Sequence, residues 1–217
     1  MSRIGLLDYG MGNLHSVQRA FERLGATVVP IDKAEEITLA ETGQAEPLDA
    51  VVLPGVGAFD PAMEQLEHSG LIPAIRHWCA AGRPLLGICL GLQLLFEASD
   101  EGQRAGLGLI PGTVRALPRL PGHPIPHMGW APLLPAHPSP LLPEGLENQW
   151  VYFVHSYAAE PSDPTCITAR VDFGGVEATA ALWQEPLAAC QFHPEKSGPV
   201  GEAMLGRWLR WLEQRQS

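Results

Sequence analysis

Cys89, His193 and Glu195 are a thiol, an imidazole and a carboxylate, the three groups that together make a nucleophile, its base and the acid that orients the base. Cys89 is the centre of Pro84-Leu-Leu-Gly-Ile-Cys89-Leu-Gly-Leu-Gln93, with Gly87 and Gly91 flanking it at two-residue spacing. The same spacing defines the Gly-x-Ser-x-Gly nucleophile elbow, in which a strand turns sharply into a helix and thrusts the nucleophile out. Glycines suit the crowded, strained backbone beside such a residue. A lone cysteine at a strand end is more often a small buried hydrophobe. The two glycines and the apolar residues 90–98, which predict a helix, reverse that preference. A helix beginning just after Cys89 turns its unpaired N–H groups towards the sulfur and favours the reactive thiolate. Gln93 is one helical turn further on, so its amide projects towards the same site.

His193 and Glu195 stand at i and i+2 in His193-Pro-Glu-Lys-Ser197, after the apolar run 187–192. Pro194 biases His193 away from the α region, and an extended chain puts both side chains on one face. His-x-Glu alone is a weak signal. After a buried strand, and paired with an elbow, it becomes the leading candidate for base and orienter. Acyl transfer through a thiol also needs backbone N–H donors for the oxyanion. The turn Pro54-Gly-Val-Gly57, through Val56 and Gly57, and the Leu90 N–H are the expected donors, although an ordinary strand-to-helix turn would read the same.

These residues need a scaffold that gathers them. Apolar runs at 3–8, 26–31, 49–53, 84–88 and 187–192 predict strands, separated in the first half by amphipathic or apolar helical stretches. Leu14, Val17, Phe21 and Leu24 mark one, stopped by Gly25; residues 61–80 mark another, divided near Gly70. Residues 33–48 read as a short helix and loop. Strand–helix alternation of this kind predicts an α/β fold, an open, mostly parallel sheet with helices on both faces. Ten of the 21 prolines fall between Pro111 and Pro143, which excludes long helices there. That region reads as a short strand at 112–117 and a loop at 121–130. Strands at 149–157, 165–171 and 178–183 are expected to be antiparallel and to lie beside the parallel sheet, and a helix at about 199–213 closes the chain. Ligands bind outside the carboxyl ends of parallel strands, where the loops at 9–13, 54–57, 89–93 and 193–195 all emerge.

Composition removes other classes. A net charge of −10 with no basic cluster argues against nucleic acid as a partner. No apolar run approaches the length of a membrane-spanning helix, and the first residues have no signal-peptide pattern. Cys79, Cys89, Cys166 and Cys190 are widely spaced, which predicts free thiols and a cytoplasmic protein. Tyr9-Gly-Met-Gly-Asn13 lacks the third glycine of a dinucleotide loop, since position 15 is His, so NAD is rejected. The eight histidines show no metal-ligand spacing, so neither metal nor cofactor is expected. At 217 residues without a linker or repeat, residues 1–217 are expected to form one domain.

Gly87-Ile-Cys-Leu-Gly-Leu-Gln93 together with Cys190-Gln-Phe-His-Pro-Glu195 resembles the class I, triad-type glutamine amidotransferases over nearly the whole chain. The resemblance implies a flavodoxin-like sheet and hydrolysis of glutamine through a γ-glutamyl thioester. Cys89 would be the nucleophile, His193 the base and Glu195 its orienter. Gln93 and Glu101 would hold the α-amino and carboxylate end of glutamine, with Gly57, Leu90, Ser156 and Tyr157 lining the site. Asp8-Tyr-Gly-Met-Gly-Asn-Leu14, Pro54-Gly-Val-Gly-Ala-Phe59, Met128-Gly-Trp130 and Tyr152-Phe-Val-His-Ser-Tyr157 resemble one branch, which serves histidine biosynthesis. That branch implies ammonia delivery to a (β/α)8-barrel cyclase subunit as heterodimer partner, with Asn13, Met128 and Trp130 facing it. His127 and Met128 depart from the Gln and Ile expected there, a change that touches coupling rather than chemistry. Two other readings remain open: a glutaminase feeding the anthranilate, guanylate or pyridoxal phosphate pathway, and a non-catalytic binding module or γ-glutamyl peptidase relative on the same fold.

Overall fold

A computed structural model describes residues 1–142 and 149–215; Pro143, the last residue of the proline-rich stretch, lies outside them. The first half alternates strand and helix: β1 (Arg3–Leu7), α1 (Leu14–Arg23), β2 (Thr27–Ile31), α2 (Ala34–Glu41), β3 (Ala50–Gly55), α3 (Phe59–His68), α4 (Leu71–Ala80), β4 (Leu85–Cys89), α5 (Leu90–Leu94). The chain continues through β5 (Ala98–Ser99), β6 (Gly112–Ala116), β7 (His127–Pro132), β8 (Leu134–Pro135), β9 (Trp150–His155) and β10 (Tyr157–Pro161). It ends with β11 (Ile167–Phe173), β12 (Val176–Gln184), β13 (Leu187–Cys190) and α6 (Gly198–Arg215).

The main sheet runs β2-β1-β3-β4-β13-β12-β11-β8. β2, β1, β3, β4 and β13 are parallel, and β12, β11 and β8 join antiparallel, so the expected mixed α/β sheet is present. Every residue of β3 and β4 is buried, because helices cover both faces. On one face Phe21 of α1 and Trp208 of α6 meet at 5.8 Å between ring centroids, over Ile4, Leu6, Leu86 and Ile88. On the other, Ile37, Phe59, Ile75 and Trp78 from α2, α3 and α4 pack on Leu7, Val51, Leu53 and Leu85. Burying one such side chain stabilises by roughly 1.5–3 kcal/mol, so both faces of the central strands resist any polar substitution.

Four expectations are corrected. The helix expected over 90–98 stops at Leu94, because Leu95 and Phe96 close it with short-range bonds to Leu92 and Gln93 and are themselves fully buried. Ala98–Ser99 then pairs with β6. The strand expected at 149–157 is two strands in two sheets, broken at Ser156, whose carbonyl accepts from the Leu117 N–H. The second half of the expected loop 121–130 is β7, which pairs with β9 in a separate ribbon rather than beside the parallel sheet. Glu195 lies not in extended chain but in a single 3-10 turn, Pro194–Lys196, closed by the Lys196 N–H on the His193 carbonyl.

Candidate active site

The elbow is built by close approach. Cys89 ends β4 at φ 56° and ψ −112°, the one described non-glycine residue with positive φ. A Cβ on Gly91 would lie 1.8 Å from the Leu53 carbonyl oxygen, and one on Gly87 would lie 2.9 Å from the Gly91 oxygen. β3, β4 and the first turn of α5 therefore interlock backbone to backbone, and that contact throws Cys89 out of the strand direction.

β13 lies beside β4 with Cys190 opposite Ile88, so the chain leaving β13 carries His193 to the same edge. His193 Nδ1 and Glu195 Oε1 are 2.8 Å apart, with both side chains almost completely buried. The His193 N–H donates to Tyr152 O at 3.0 Å, and Ser197 Oγ bridges the His193 carbonyl and the Tyr152 N–H. The histidine turn is thus pinned to the ribbon. Burial pulls the His193 imidazole down, but the Cys89 sulfur and then Glu195 outweigh it and raise its pKa to about 9. Among the described residues Nε2 finds no fully formed hydrogen bond. The Cys89 sulfur is the neighbour that acts on this imidazole, and hydrogen bonds at such sites tighten in a substrate complex.

A cavity of about 270 Å³ opens over the cysteine. Val56, Gly57, Cys89, Leu90, Gln93, Glu101, Ser156, Tyr157 and His193 all line it, so the structure brings together every catalytic, oxyanion and substrate-binding candidate except Glu195, which stands behind His193. Gln93 is 5% exposed and its Nε2 donates to Tyr157 O at 3.2 Å and Gln191 Oε1 at 3.0 Å. Its nitrogen is therefore committed inside the protein. Glu101 follows β5, and its Oε2 accepts from the Phe59 N–H at 2.8 Å, at the start of α3. Burial raises the Glu101 pKa, and the Phe59 bond offsets part of that. Asp60, one residue on, receives the N–H groups of Gln103 and Arg104 at 2.9 Å each and so ties down the loop that carries Glu101.

The residues expected to face a partner lie at the same edge. Asn13 precedes α1, and its side chain makes no cap bond. Met128 and Trp130 are 62% and 53% exposed, and Trp150 is 51% exposed. In the ribbon, Met128, Trp130 and Pro132 oppose Val154, Tyr152 and Trp150. Strand alternation puts these six on one face, while Phe153 and Val151 point into the core from the other.

Sequence reasoning missed Pro126, Val154 and His155, which also line the cavity, and Gln191 behind it. His155 Nδ1 lies 2.8 Å from Tyr157 O, and its Nε2 lies 3.2 Å from His127 Nδ1. Burial first of all drives the His155 pKa down to about 4. The one legible signal was Gln191 itself, a lone amide in the run Leu187-Ala-Ala-Cys-Gln-Phe192.

The family model of the class-I glutamine amidotransferases matches residues 5–210. The chain is 54% identical over 209 residues to "Imidazole glycerol phosphate synthase subunit HisH" of Synechococcus sp. (strain CC9605), covering 96% of this chain and 94% of that one. The protein of the same description from Prochlorococcus marinus (strain MIT 9211) is 50% identical over 216 residues, with 100% and 98% covered. Among solved structures, a glutamine amidotransferase superposes with a TM-score of 0.72 at 20% identity, covering 97% of this chain and 98% of that one. PurLQS from Thermotoga maritima gives 0.70 at 19% identity, with 97% and 99% covered. At those identities the structures bear on the fold alone.

Proposed function

The chain belongs to the class-I glutamine amidotransferase family, and from that premise we infer its reaction: it is the glutaminase subunit of imidazole glycerol phosphate synthase, supplying ammonia for histidine biosynthesis. The observation that carries the chemistry is the strained Cys89 at the floor of a cavity, with the His193–Glu195 pair beside it. The Cys89 thiolate attacks the side-chain amide carbon of glutamine, and the oxyanion meets backbone N–H groups of the Val56–Gly57 turn and Leu90. His193, protonated at neutral pH, gives its proton to the departing ammonia and leaves a γ-glutamyl thioester on sulfur. It then takes a proton from water, which cleaves the thioester and releases glutamate. Glu195 fixes the imidazole tautomer through Nδ1. Gln93 and Glu101 hold the amino-acid end of glutamine, with Ser156 and Tyr157 beside them. Residues 1–217 act as one glutaminase domain.

The ammonia passes to a (β/α)8-barrel cyclase subunit, where it joins a phosphoribulosyl-formimino carboxamide nucleotide. Asn13 and the exposed Met128–Trp130 face of the ribbon form the docking side; an exposed apolar and aromatic face suits a protein partner. No helix among the described residues is long and apolar enough to cross a membrane, and the reaction belongs in the cytoplasm.

The test is glutamate release from glutamine, alone and with the cyclase and its nucleotide. Strong stimulation is expected, and Cys89→Ala should abolish glutamine hydrolysis while synthesis from added ammonium salts continues in the complex. Hydrolysis that ignores the cyclase would move the protein to another synthase. Loss of both activities in Cys89→Ala would overturn the division of labour.

A further inference from the structure

Gln191 is fully buried, one residue beyond β13, with its backbone N–H bound to Ala180 O at 2.8 Å. Burying an amide is costly unless each end is hydrogen-bonded, and an apolar residue would continue the Leu187–Cys190 run without that cost. The neighbours determine which way the amide points. The carbonyl of Tyr157 can only accept, and it receives the Gln93 Nε2 at 3.2 Å, which fixes the nitrogen end of Gln93. The same Gln93 nitrogen donates at 3.0 Å to Gln191, so Gln191 must present its oxygen there. Its nitrogen is then turned to the Cys89 sulfur, 3.8 Å away.

The ordering extends outwards. His155 gives its Nδ1 proton to the same Tyr157 carbonyl at 2.8 Å, which leaves its Nε2 to accept from His127 at 3.2 Å. Every bond between the ribbon and the sulfur has one permitted direction. The sulfur itself lies between this N–H and the Val154 carbonyl at 4.0 Å, which only the neutral thiol can use. An N–H aimed at sulfur favours the thiolate instead, and such a contact strengthens and shortens once the acceptor carries charge.

We propose that Gln191 is a further catalytic residue of the glutaminase reaction, one whose amide N–H stabilises the Cys89 thiolate, held in that orientation by Gln93 and the Tyr157 carbonyl. The inference rests on the glutaminase reading for what Cys89 attacks, but not for how the sulfur is charged.

Alkylation of Cys89 by iodoacetamide, followed by mass spectrometry of the peptide that contains it, needs neither glutamine nor cyclase. Gln191→Met keeps the volume and removes the N–H; at neutral pH its Cys89 should react about tenfold more slowly, the effect of one charge-assisted hydrogen bond. A merely structural role gives the opposite sign, since a loosened core exposes the thiol and speeds the reaction. Gln93→Met leaves Gln191 in place but frees its amide to turn over, and a slowing of about twofold is expected. It carries the test if Gln191→Met fails to fold. An unchanged or faster rate in a folded variant overturns the proposal. Failure of the glutaminase reading shows elsewhere: the wild type would release no glutamate from glutamine, with or without the cyclase, whatever the alkylation rates.

Discussion

His155 should make the protein lose stability in mild acid, by an amount set by its burial. It is 5% exposed, its pKa is held near 4, and its two ring nitrogens are engaged by Tyr157 O and His127. In the unfolded chain the imidazole titrates near 6.5. As the pH falls below 6.5 the unfolded state binds a proton that the folded state refuses until about pH 4. Stability is therefore complete above 6.5 and declines towards 4. Between about pH 7 and about pH 5 the loss is close to one and a half pH units of proton binding, about 2 kcal/mol. His193 acts in the other sense: its raised pKa adds stability that is fully present below 6.5 and is lost as pH rises through about 9. The comparison must therefore be a difference of differences. Urea unfolding of the wild type and of His155→Asn at the two pH values isolates the histidine, because His193 is common to both. His155→Asn should be the weaker protein at neutral pH, having lost shape and bonds, yet lose about 2 kcal/mol less on acidification. Equal losses in the two proteins would refute the claim that His155 is buried neutral.

Gly91→Ala forces a methyl group onto the Leu53 carbonyl oxygen, 1.8 Å from where its carbon would stand, so the elbow must open. Thermal unfolding should show a loss of about 3 kcal/mol, the upper range for overpacking, and glutamine hydrolysis should fall far more than the fraction unfolded explains. Trp130→Ala removes an exposed ring whose neighbour is Tyr152 at 6.1 Å. Stability should change by less than about 0.5 kcal/mol while calorimetric binding to the cyclase weakens by at least about tenfold, as for a central aromatic anchor.

What could be read in advance was local. Gly87 and Gly91 around Cys89 marked the elbow, and the apolar runs marked β1, β3, β4 and β13, because each signal lies within a few residues. The carboxyl-end rule then placed the loops together. What escaped depends on distant partners. Gln191 and Cys89 are separated by 102 residues and Gln93 and Tyr157 by 64, so no periodicity shows that their amides form one chain. The ribbon escaped for a related reason: prolines at 124, 126 and 132 disguise a strand that needs β9 to exist. α5 looked longer than it is because Leu94, Leu95 and Phe96 are buried on every side, and an all-round apolar run carries no helical signature.

The backbone at Cys89 has a consequence for how such a protein changes over generations. A residue held at φ 56° and ψ −112° sits where glycine is at ease and every other side chain is strained, by about 1–3 kcal/mol. Replacement by glycine would thus relax the fold at the very position proposed as the nucleophile. Most active-site changes are resisted twice, by function and by folding. Here the two pressures oppose each other, and only continued demand for ammonia keeps the sulfur in place. A gene copy released from that demand would be free to drift downhill at this codon, giving a sturdier protein with an empty elbow.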